Sequence, residues 1–177
     1  MLILGHLGIG KALVSPLTRR LQRRWVYLGT LLPDLIDKPL YYTLSWATGK
    51  HGLELGLISG TRTFGHTALF AIAITVGALV RKSKVLAALS LGIASHLLLD
   101  SVADHLWDAG GATPSDISLF WPLKGIQMPI AQFTNILDHV RNKQQPTYLL
   151  AELLGAILLI NDYYRRSTKR RSKKPST

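Results

Sequence analysis

The segment "VLAALSLGIASHLLLDSVADHLWD", residues 85–108, begins as an apolar helix and ends as a polar one. Its last 13 residues contain five ionisable side chains, His96, Asp100, Asp104, His105 and Asp108. Burying a polar group without a partner costs roughly 2–7 kcal/mol, so apolar segments rarely contain one uncompensated. His96 and Asp100 are spaced i, i+4 and project from one helix face. The segment therefore predicts a buried helix whose polar end meets partners from elsewhere in the chain.

A second apolar segment, residues 64–80, is separated from this helix by the polar turn "RKSK". Two apolar helices joined by so short a turn are typical of an antiparallel helical hairpin. The hairpin would bring His66 to nearly the depth of His96 and Asp100. On the same face as His96, Gly92 and Ala88 would allow a neighbouring helix to approach closely.

The rest of the chain also has the pattern of helices, and no long stretch alternates with the period of two that a β-strand requires. We predict an all-α, multi-helix bundle with one domain over residues 1–164 and a disordered basic tail over 165–177. Residues 107–146 contain four prolines and no clear period, so we expect a long irregular connection there. Helices are predicted near residues 5–24, 25–44, 64–80, 85–106 and 147–164.

The composition limits the chemistry that the chain can carry out. There is no cysteine, which excludes disulfides, thiolate nucleophiles and cysteine-based metal sites. The net charge is +11, but the tail holds seven of the 21 lysines and arginines, leaving 14 basic against 10 acidic residues elsewhere. Such a tail binds anionic lipid headgroups or nucleic acid. We expect lipid headgroups as its partner and keep a nucleic-acid-binding protein as an alternative.

The distribution of charge favours a membrane protein. Hydrophobic residues make up 47% of the chain, and both hairpin helices approach the length needed for about 30 Å of hydrocarbon. Basic clusters lie at 19–24, at 81–84 and in the tail, whereas five aspartates and one lysine lie between 100 and 138. The positive-inside rule then predicts a multi-pass cell-membrane protein with its basic loops and C-terminal tail in the cytoplasm. The alternative is a soluble helical bundle.

Polar residues also interrupt apolar sequence nearer the N-terminus. His6 lies within "LILGHLGIG", and Asp34 and Asp37 lie in "GTLLPDLIDKPL", where proline indicates a helix break. A second hairpin around 19–24 would bring these residues to the polar end of the first hairpin. Imidazoles and carboxylates without thiolate suit zinc or a comparable divalent ion, although each residue alone also fits a hydrogen-bonded core position or a helix cap. The predicted pocket consists of His6, Asp34, Asp37, His66, His96 and Asp100.

Five motifs resemble, in order, the YdjM-type family of membrane-bound metal-dependent hydrolases: "GHLGIG", "GTLLPDLIDKPL", "GTRTFGHTALF", "SHLLLDSVADHLW" and "LFWPL". The "HLLLD" motif is also similar to one in zinc-dependent phospholipase C and the related single-strand nucleases. The resemblance implies that the metal ligands are His6, Asp34, His66, His96 and Asp100.

Two departures from the family pattern limit this inference. Thr61 stands where many members have the first histidine of "HRGxTHS". The acidic pair reads "PDLID" instead of "PDxD", so either Asp34 or Asp37 would be the ligand and the other would support it. The later histidine and glutamate ligands of the phospholipase group are not recognisable, so we expect one or two ions.

The resemblance and the pocket together predict hydrolysis of an ester or phosphoester, either a small molecule or a membrane lipid headgroup. A divalent metal would lower the pKa of water from 15.7 to about 7. We expect Asp37 to orient or deprotonate that water. Arg62 would neutralise a phosphate or oxyanion, or alternatively pair with Asp34 or Asp37. A non-catalytic metal-binding protein and an ion-transport element remain alternatives.

Overall fold

The computed structural model describes residues 3–18, 21–107, 113–131, 133, 136–142 and 146–171. Within these ranges the chain forms helices joined by turns and contains no β-strand, which confirms the predicted all-α class. Seven helices are numbered in chain order: α1 (Ile3–Val14), α2 (Arg23–Thr48), α3 (Ala68–Val80), α4 (Lys84–Trp107), α5 (Pro114–Leu119), α6 (Ile136–Asn142) and α7 (Pro146–Arg171). Two 3₁₀ turns, Gly52–Ile58 and Phe64–His66, lie between α2 and α3.

Local sequence signals define the helix ends on both sides of this connection. Helix α2 ends at Thr48 and is followed by Gly49, whose φ of 68° is the left-handed conformation that glycine adopts at helix C-termini. Helix α3 begins after Thr67, whose side-chain oxygen accepts a hydrogen bond of 3.0 Å from the Phe70 N–H. The connection between α2 and α3 thus has defined ends, and its two 3₁₀ turns pack against α2.

Helices α2 and α4 form the central contact of the bundle. A Cβ atom added at Gly29 would lie 2.4 Å from the Leu89 carbonyl oxygen, and one added at Gly92 would lie 2.4 Å from the Val26 carbonyl oxygen. Both distances are far below van der Waals contact, so the two backbones can cross this closely only where both residues are glycine. The close approach predicted at Gly92 is therefore confirmed, and its partner is α2.

The predicted hairpin of α3 and α4 is also confirmed. The hydroxyls of Thr75 and Ser90 are 2.6 Å apart across the pair. These residues are equally distant in sequence from the turn centre between Lys82 and Ser83, as an antiparallel pair requires. The hairpin therefore brings the beginning of α3 to the level of the C-terminal half of α4.

Helix α7 is joined to α1 by small residues and by acidic side chains. A Cβ atom added at Gly8 would lie only 2.1 Å from the Gly155 carbonyl oxygen. The Glu152 carboxylate accepts hydrogen bonds from the N–H groups of Leu4 and Gly5 at 2.8 and 3.0 Å. Because these N–H groups belong to the first turn of α1, they lack partners within their own helix. Helix α7 thus fixes the segment that carries His6.

Several predicted boundaries are wrong. Helix α1 ends at Val14, well before residue 24. Helix α2 continues through both Pro33 and Pro39, because each proline removes one helical hydrogen bond while the packing of α2 persists on both sides. The connection 107–146 contains α5 and α6.

The start of the basic tail is also different from the prediction. Helix α7 extends to Arg171, seven residues into the segment predicted to be disordered. Basic side chains near a helix C-terminus interact favourably with the helix dipole, which fits this extension. Residues 172–177 lie outside the described residues.

The outer surface of the bundle is apolar on three helices. In the described part of the chain, one helix, Lys84–Leu106 within α4, is long and apolar enough to cross a membrane. Helix α3 has 13 residues, which corresponds to only about 20 Å. Exposed apolar side chains nevertheless lie on α3, α4 and α7, and surfaces of this kind are typical of contact with lipid or protein. They include Leu69, Ile72, Val76, Leu98, Val102, Leu153 and Ile157.

Candidate metal centre

Two histidines and two aspartates from α2, α4 and the connection before α3 bring nitrogen and oxygen atoms close together. His66 Nε2 lies 3.2 Å from His96 Nε2 and 3.6 Å from both Asp34 Oδ1 and Asp100 Oδ2. His96 Nε2 lies 3.7 Å from Asp100 Oδ2 and 4.0 Å from Asp34 Oδ1. Ligand atoms bound at about 2.0–2.1 Å in a tetrahedral zinc site are roughly 3.3–3.4 Å apart. The observed separations are therefore close to those of a ligand set.

The outer nitrogen of each imidazole fixes its tautomer. His66 Nδ1 lies 2.7 Å from Asp37 Oδ2, and His96 Nδ1 lies 2.7 Å from the Thr30 carbonyl oxygen. Both partners are acceptors, so each Nδ1 donates its hydrogen, and in the neutral ring the lone pair is on Nε2. Two lone pairs facing each other at 3.2 Å repel unless a cation or a proton lies between them. Metal-binding histidines are held by carboxylates or carbonyl groups in this same way.

Asp37 supports the site from behind. Its Oδ2 also accepts a hydrogen bond of 2.7 Å from the Thr63 N–H, and its Oδ1 accepts one of 2.9 Å from the Gly65 N–H. The side chain is completely buried. Of the two aspartates that the sequence left as alternatives, Asp34 faces the histidines and Asp37 orients His66. The geometry does not favour Asp37 as the base that deprotonates water, because its oxygens already hold the loop and the imidazole.

His6 extends the cluster on the side of α1. Its ring stacks on that of His96 with centroids 3.9 Å apart, and its Nε2 lies 3.3 Å from Asp100 Oδ1. A π-helical turn, His6–Gly10, begins at this residue, and such turns are frequent at functional sites. His6 Nδ1 is buried and has no hydrogen-bond partner among the described residues. The structure thus offers two groups that could hold a metal ion, Asp34–His66–His96 and His6–His96–Asp100.

Arg62 reaches the cluster from the loop before His66. Its Nη2 lies 3.2 Å from Asp100 Oδ2, while its Nη1 contacts Asp104 and donates a hydrogen bond of 3.0 Å to Ser115 Oγ. The prediction that Arg62 pairs with Asp34 or Asp37 is therefore wrong, because its salt bridges are with Asp100 and Asp104. Burial acts to lower the pKa of Arg62, but Asp100 and Asp104 outweigh it and raise that pKa above its usual range. The guanidinium is thus a permanent cation that holds Asp100 in place.

Asp104 and Ser115 were not predicted as part of the site. Asp104 Oδ2 accepts hydrogen bonds from the Ser115 N–H at 3.1 Å and from its Oγ at 2.8 Å. The position of Asp104 one helical turn after Asp100 was an available signal. Ser115 lies beyond the connection after α4, and its position could not be inferred from periodicity.

The buried charges leave an excess of negative charge. Among the described residues, the site contains four carboxylates and two basic side chains, Arg62 and Lys38, the latter paired with Asp34. With neutral histidines the sum is −2, the charge that one divalent cation neutralises. Burial acts to lower the pKa of His66, but Asp34 and Asp37 outweigh it and raise that pKa. The residues present therefore fit a divalent metal ion. The carboxylates are Asp34, Asp37, Asp100 and Asp104.

The centre is open to solvent mainly beside Asp34. The exposed side-chain fraction is 13% for Asp34 but 3%, 0% and 5% for His66, His96 and Asp100. Lys38, one helical turn after Asp34, lies at this edge and was not singled out in the sequence. His105 stays outside the cluster, with a side chain that is 56% exposed and that lies 3.4 Å from Asp116.

The chain was compared with known protein families, curated proteins and solved structures. A family model described as YdjM inner membrane protein matches residues 1–167, which include every residue of the metal centre. No curated protein and no solved structure matches the chain. The match covers far more than half of the sequence, so the chain belongs to the YdjM inner membrane protein family.

Proposed function

We propose that this protein is a membrane-bound metal-dependent hydrolase that acts on an ester or phosphoester. The observation that carries the proposal is the pair of imidazole nitrogens, each with its lone pair directed inward, 3.2 Å apart between carboxylates. Zinc suits a donor set of two imidazoles and two carboxylates. The ligands would be Asp34, His66, His96 and Asp100.

The donor set supports one ion. His96 belongs to both groups of metal-binding residues, but its Nδ1 donates to the Thr30 carbonyl. A single inward nitrogen cannot serve two ions at once. We therefore assign the ion to the side of His66 and Asp34, and we assign His6 to holding the other oxygen of Asp100.

Each neighbouring residue has a distinct task in this proposal. Asp37 and the Thr30 carbonyl keep the imidazole rings aligned, and Arg62 keeps Asp100 aligned. Lys38, beside the open edge, is placed to contact an anionic oxygen of the substrate. A divalent metal in such a site supplies a water that ionises near neutral pH and a Lewis acid for the ester oxygen.

The membrane arrangement is also part of the proposal. The exposed apolar faces of α3, α4 and α7 support several membrane-embedded helices. The basic clusters at 19–24 and 81–84 precede α2 and α4, and they support a cytoplasmic location for the beginnings of these two helices. The C-terminal basic residues would then contact anionic headgroups of the inner leaflet. Membrane lipids and small esters are the partners that this arrangement favours.

Metal content is the first test. Detergent-purified protein would be analysed for zinc, manganese and iron beside the variants His66→Ala and His96→Ala. The matched control is His105→Ala, which removes a histidine outside the cluster. We expect about one ion per chain in the wild type and the control, and a loss of at least tenfold in occupancy in both cluster variants. Folding of every variant would be checked by circular dichroism.

Hydrolysis is the second test. Metal-loaded protein would be incubated with carboxylic esters, phosphomonoesters, phosphodiesters and phospholipids, and the same panel would be repeated with His66→Ala. Metal-dependent turnover of one class would support the proposal. A protein without bound metal, whose melting temperature does not rise on adding divalent ions, would refute the metal centre. Stoichiometric metal without turnover of any class would leave a non-catalytic metal site.

A further inference from the structure

The loop Phe120–Ile126 presents three apolar side chains, Phe120, Leu123 and Ile126, to the outside. Leu123 and Ile126 are 89% and 73% exposed, and Phe120 is also exposed. Two aliphatic side chains at such exposure in one short loop are costly in water, since each leaves its apolar surface unburied. The loop follows directly after α5.

The loop is a structured turn. The Trp121 indole N–H donates a hydrogen bond of 2.9 Å to the Ile126 carbonyl oxygen, and the Gly125 N–H donates one of 3.0 Å to the Pro122 carbonyl oxygen. The Lys124 ammonium lies 4.9 Å from the centre of the Phe120 ring, a cation–π contact. These contacts close the turn and hold its backbone, and the same backbone conformation directs the Leu123 side chain outward.

The loop is attached to the segment that carries the metal-site residues. The rings of Phe64 and Trp121 meet edge to face with centroids 6.3 Å apart, and Phe64 lies between Arg62 and His66 in sequence. Ser118 Oγ, at the end of α5, donates a hydrogen bond of 2.8 Å to the Arg62 carbonyl oxygen. The loop and the metal centre therefore belong to the same end of the bundle.

The depth of this end along α4 places it near one membrane boundary. His96 and Asp100 are 12 and 16 residues beyond Lys84, which corresponds to roughly 18–24 Å along the helix. The hydrocarbon core is about 30 Å thick. If the basic turn before Lys84 lies at one boundary, the metal centre lies in the opposite leaflet, about 6–12 Å short of the other boundary. The apolar surface of α4 also continues to this end, where Val102 and Leu106 are exposed.

We propose that the loop Phe120–Ile126 inserts into the headgroup–acyl boundary of the leaflet opposite the basic clusters and is the membrane-docking edge of the metal centre. Aromatic and lysine side chains beside aliphatic ones are the composition of interfacial anchors. Resting on the proposed hydrolase function, this position identifies the substrate as an amphiphile whose ester lies at headgroup depth. Leu123 and Ile126 contact acyl chains, and Lys124 lies at the level of the phosphates.

Site-directed spin labelling tests this docking directly, because the chain has no native cysteine. The full-length variants Leu123→Cys and Ile126→Cys would carry a nitroxide in phosphatidylcholine–phosphatidylglycerol vesicles. Leu98→Cys, on the exposed apolar face of α4, is the lipid-facing control, and Lys50→Cys, on an exposed polar connection, is the aqueous control. Accessibility to oxygen and to a water-soluble nickel chelate gives the depth of each label. The metal content of the same samples would be measured in parallel.

We expect labels at 123 and 126 to prefer oxygen over the nickel chelate and to lie about 5–10 Å inside the boundary. Nickel accessibility equal to that at position 50 would overturn the proposal. Low accessibility to both reagents would also overturn it, because protein would then cover the loop. Labels in lipid on protein without metal would support the docking and refute the hydrolase. Labels in water on metal-containing protein would refute the docking and leave the proposed hydrolase function standing.

Discussion

The contact between Gly29 and Gly92 makes a quantitative prediction for Gly92→Ala. The added Cβ would lie 2.4 Å from the Val26 carbonyl oxygen and 2.7 Å from Gly29 Cα, whereas ordinary contact begins near 3.4 Å. Helices α2 and α4 would have to separate by about 1 Å, and overpacking of this kind costs about 1–3 kcal/mol. The intrinsic preference of a helix for alanine returns only about 0.5–1 kcal/mol. We therefore expect a net destabilisation.

The same separation would reach the metal centre. The His96 Nδ1–Thr30 hydrogen bond, at 2.7 Å, lies one turn from Gly92 on the same helix pair. Stretched by about 1 Å, it would exceed the usual limit of roughly 3.2 Å for N–H···O contacts. Loss of a hydrogen bond that orients a metal-binding histidine typically costs 10–100-fold in metal affinity. Gly92→Ala should therefore weaken metal binding by about this factor, although the residue lies outside the ligand set.

The matched control is Gly77→Ala, where the nearest atom to the added Cβ would be Leu86 Cδ1 at 3.6 Å, an ordinary contact. Both variants would be compared with the wild type by thermal unfolding in detergent and by competition with a chromogenic chelator. A domain of this size shifts its melting temperature by about 2–4 °C per kcal/mol. Gly92→Ala should melt several degrees below the wild type, and Gly77→Ala should equal or exceed the wild type. Equal melting temperatures and metal affinities for the two variants would refute the close crossing of α2 and α4.

Three further predictions concern polar contacts. Asp37→Asn should lower metal affinity about 10–100-fold in a protein that still folds, because His66 loses its carboxylate partner; chelator competition measures this, and unchanged affinity would contradict the assigned orienting task. Asp162→Asn removes the carboxylate that lies 2.7 Å from the buried Lys11 ammonium, and it should lower the free energy of unfolding by about 3–5 kcal/mol. The double variant Lys11→Met/Asp162→Asn should recover most of that loss, as measured by thermal unfolding. Glu152→Gln should increase hydrogen exchange in the first turn of α1 by weakening the charged acceptor of its N–H groups, and unchanged exchange would show that packing alone holds α1 against α7.

The helical pairing and the location of the pocket could be predicted from the sequence because both follow from periodicity and symmetry. A short turn between two apolar segments fixes which residues lie at equal depth, and the Thr75–Ser90 contact has the register that this rule requires. His66 and His96 come together for the same reason. The sequence could not separate Asp34 from Asp37, because that choice depends on the face of α2 that meets the loop at Gly65.

The failures have physical causes that local patterns do not contain. Pro33 and Pro39 indicate a break in an isolated helix, but α2 is held on both sides by α4 and by the loop that packs on Pro33. The partners of Arg62 come from α4 and α5, which are separated by a connection of unpredictable path. Helix periodicity carries no information about such contacts, so the sequence alone leaves Arg62 with a substrate anion or with Asp34 or Asp37 as its partner.

The geometry links metal binding to the fold of the loop. His66 reaches the centre only because Asp37 holds the backbone of Thr63 and Gly65 against α2. The four carboxylates of the site outnumber its two basic side chains by two, and uncompensated buried charge is strongly destabilising. Without a divalent ion, this excess must be met by protons, of which the raised pKa of His66 is one sign. Metal binding would displace those protons and allow both imidazoles to remain neutral. The same group of carboxylates would attract the ion and fastens the loop, so ion binding should stabilise the candidate metal centre and its surrounding connection together.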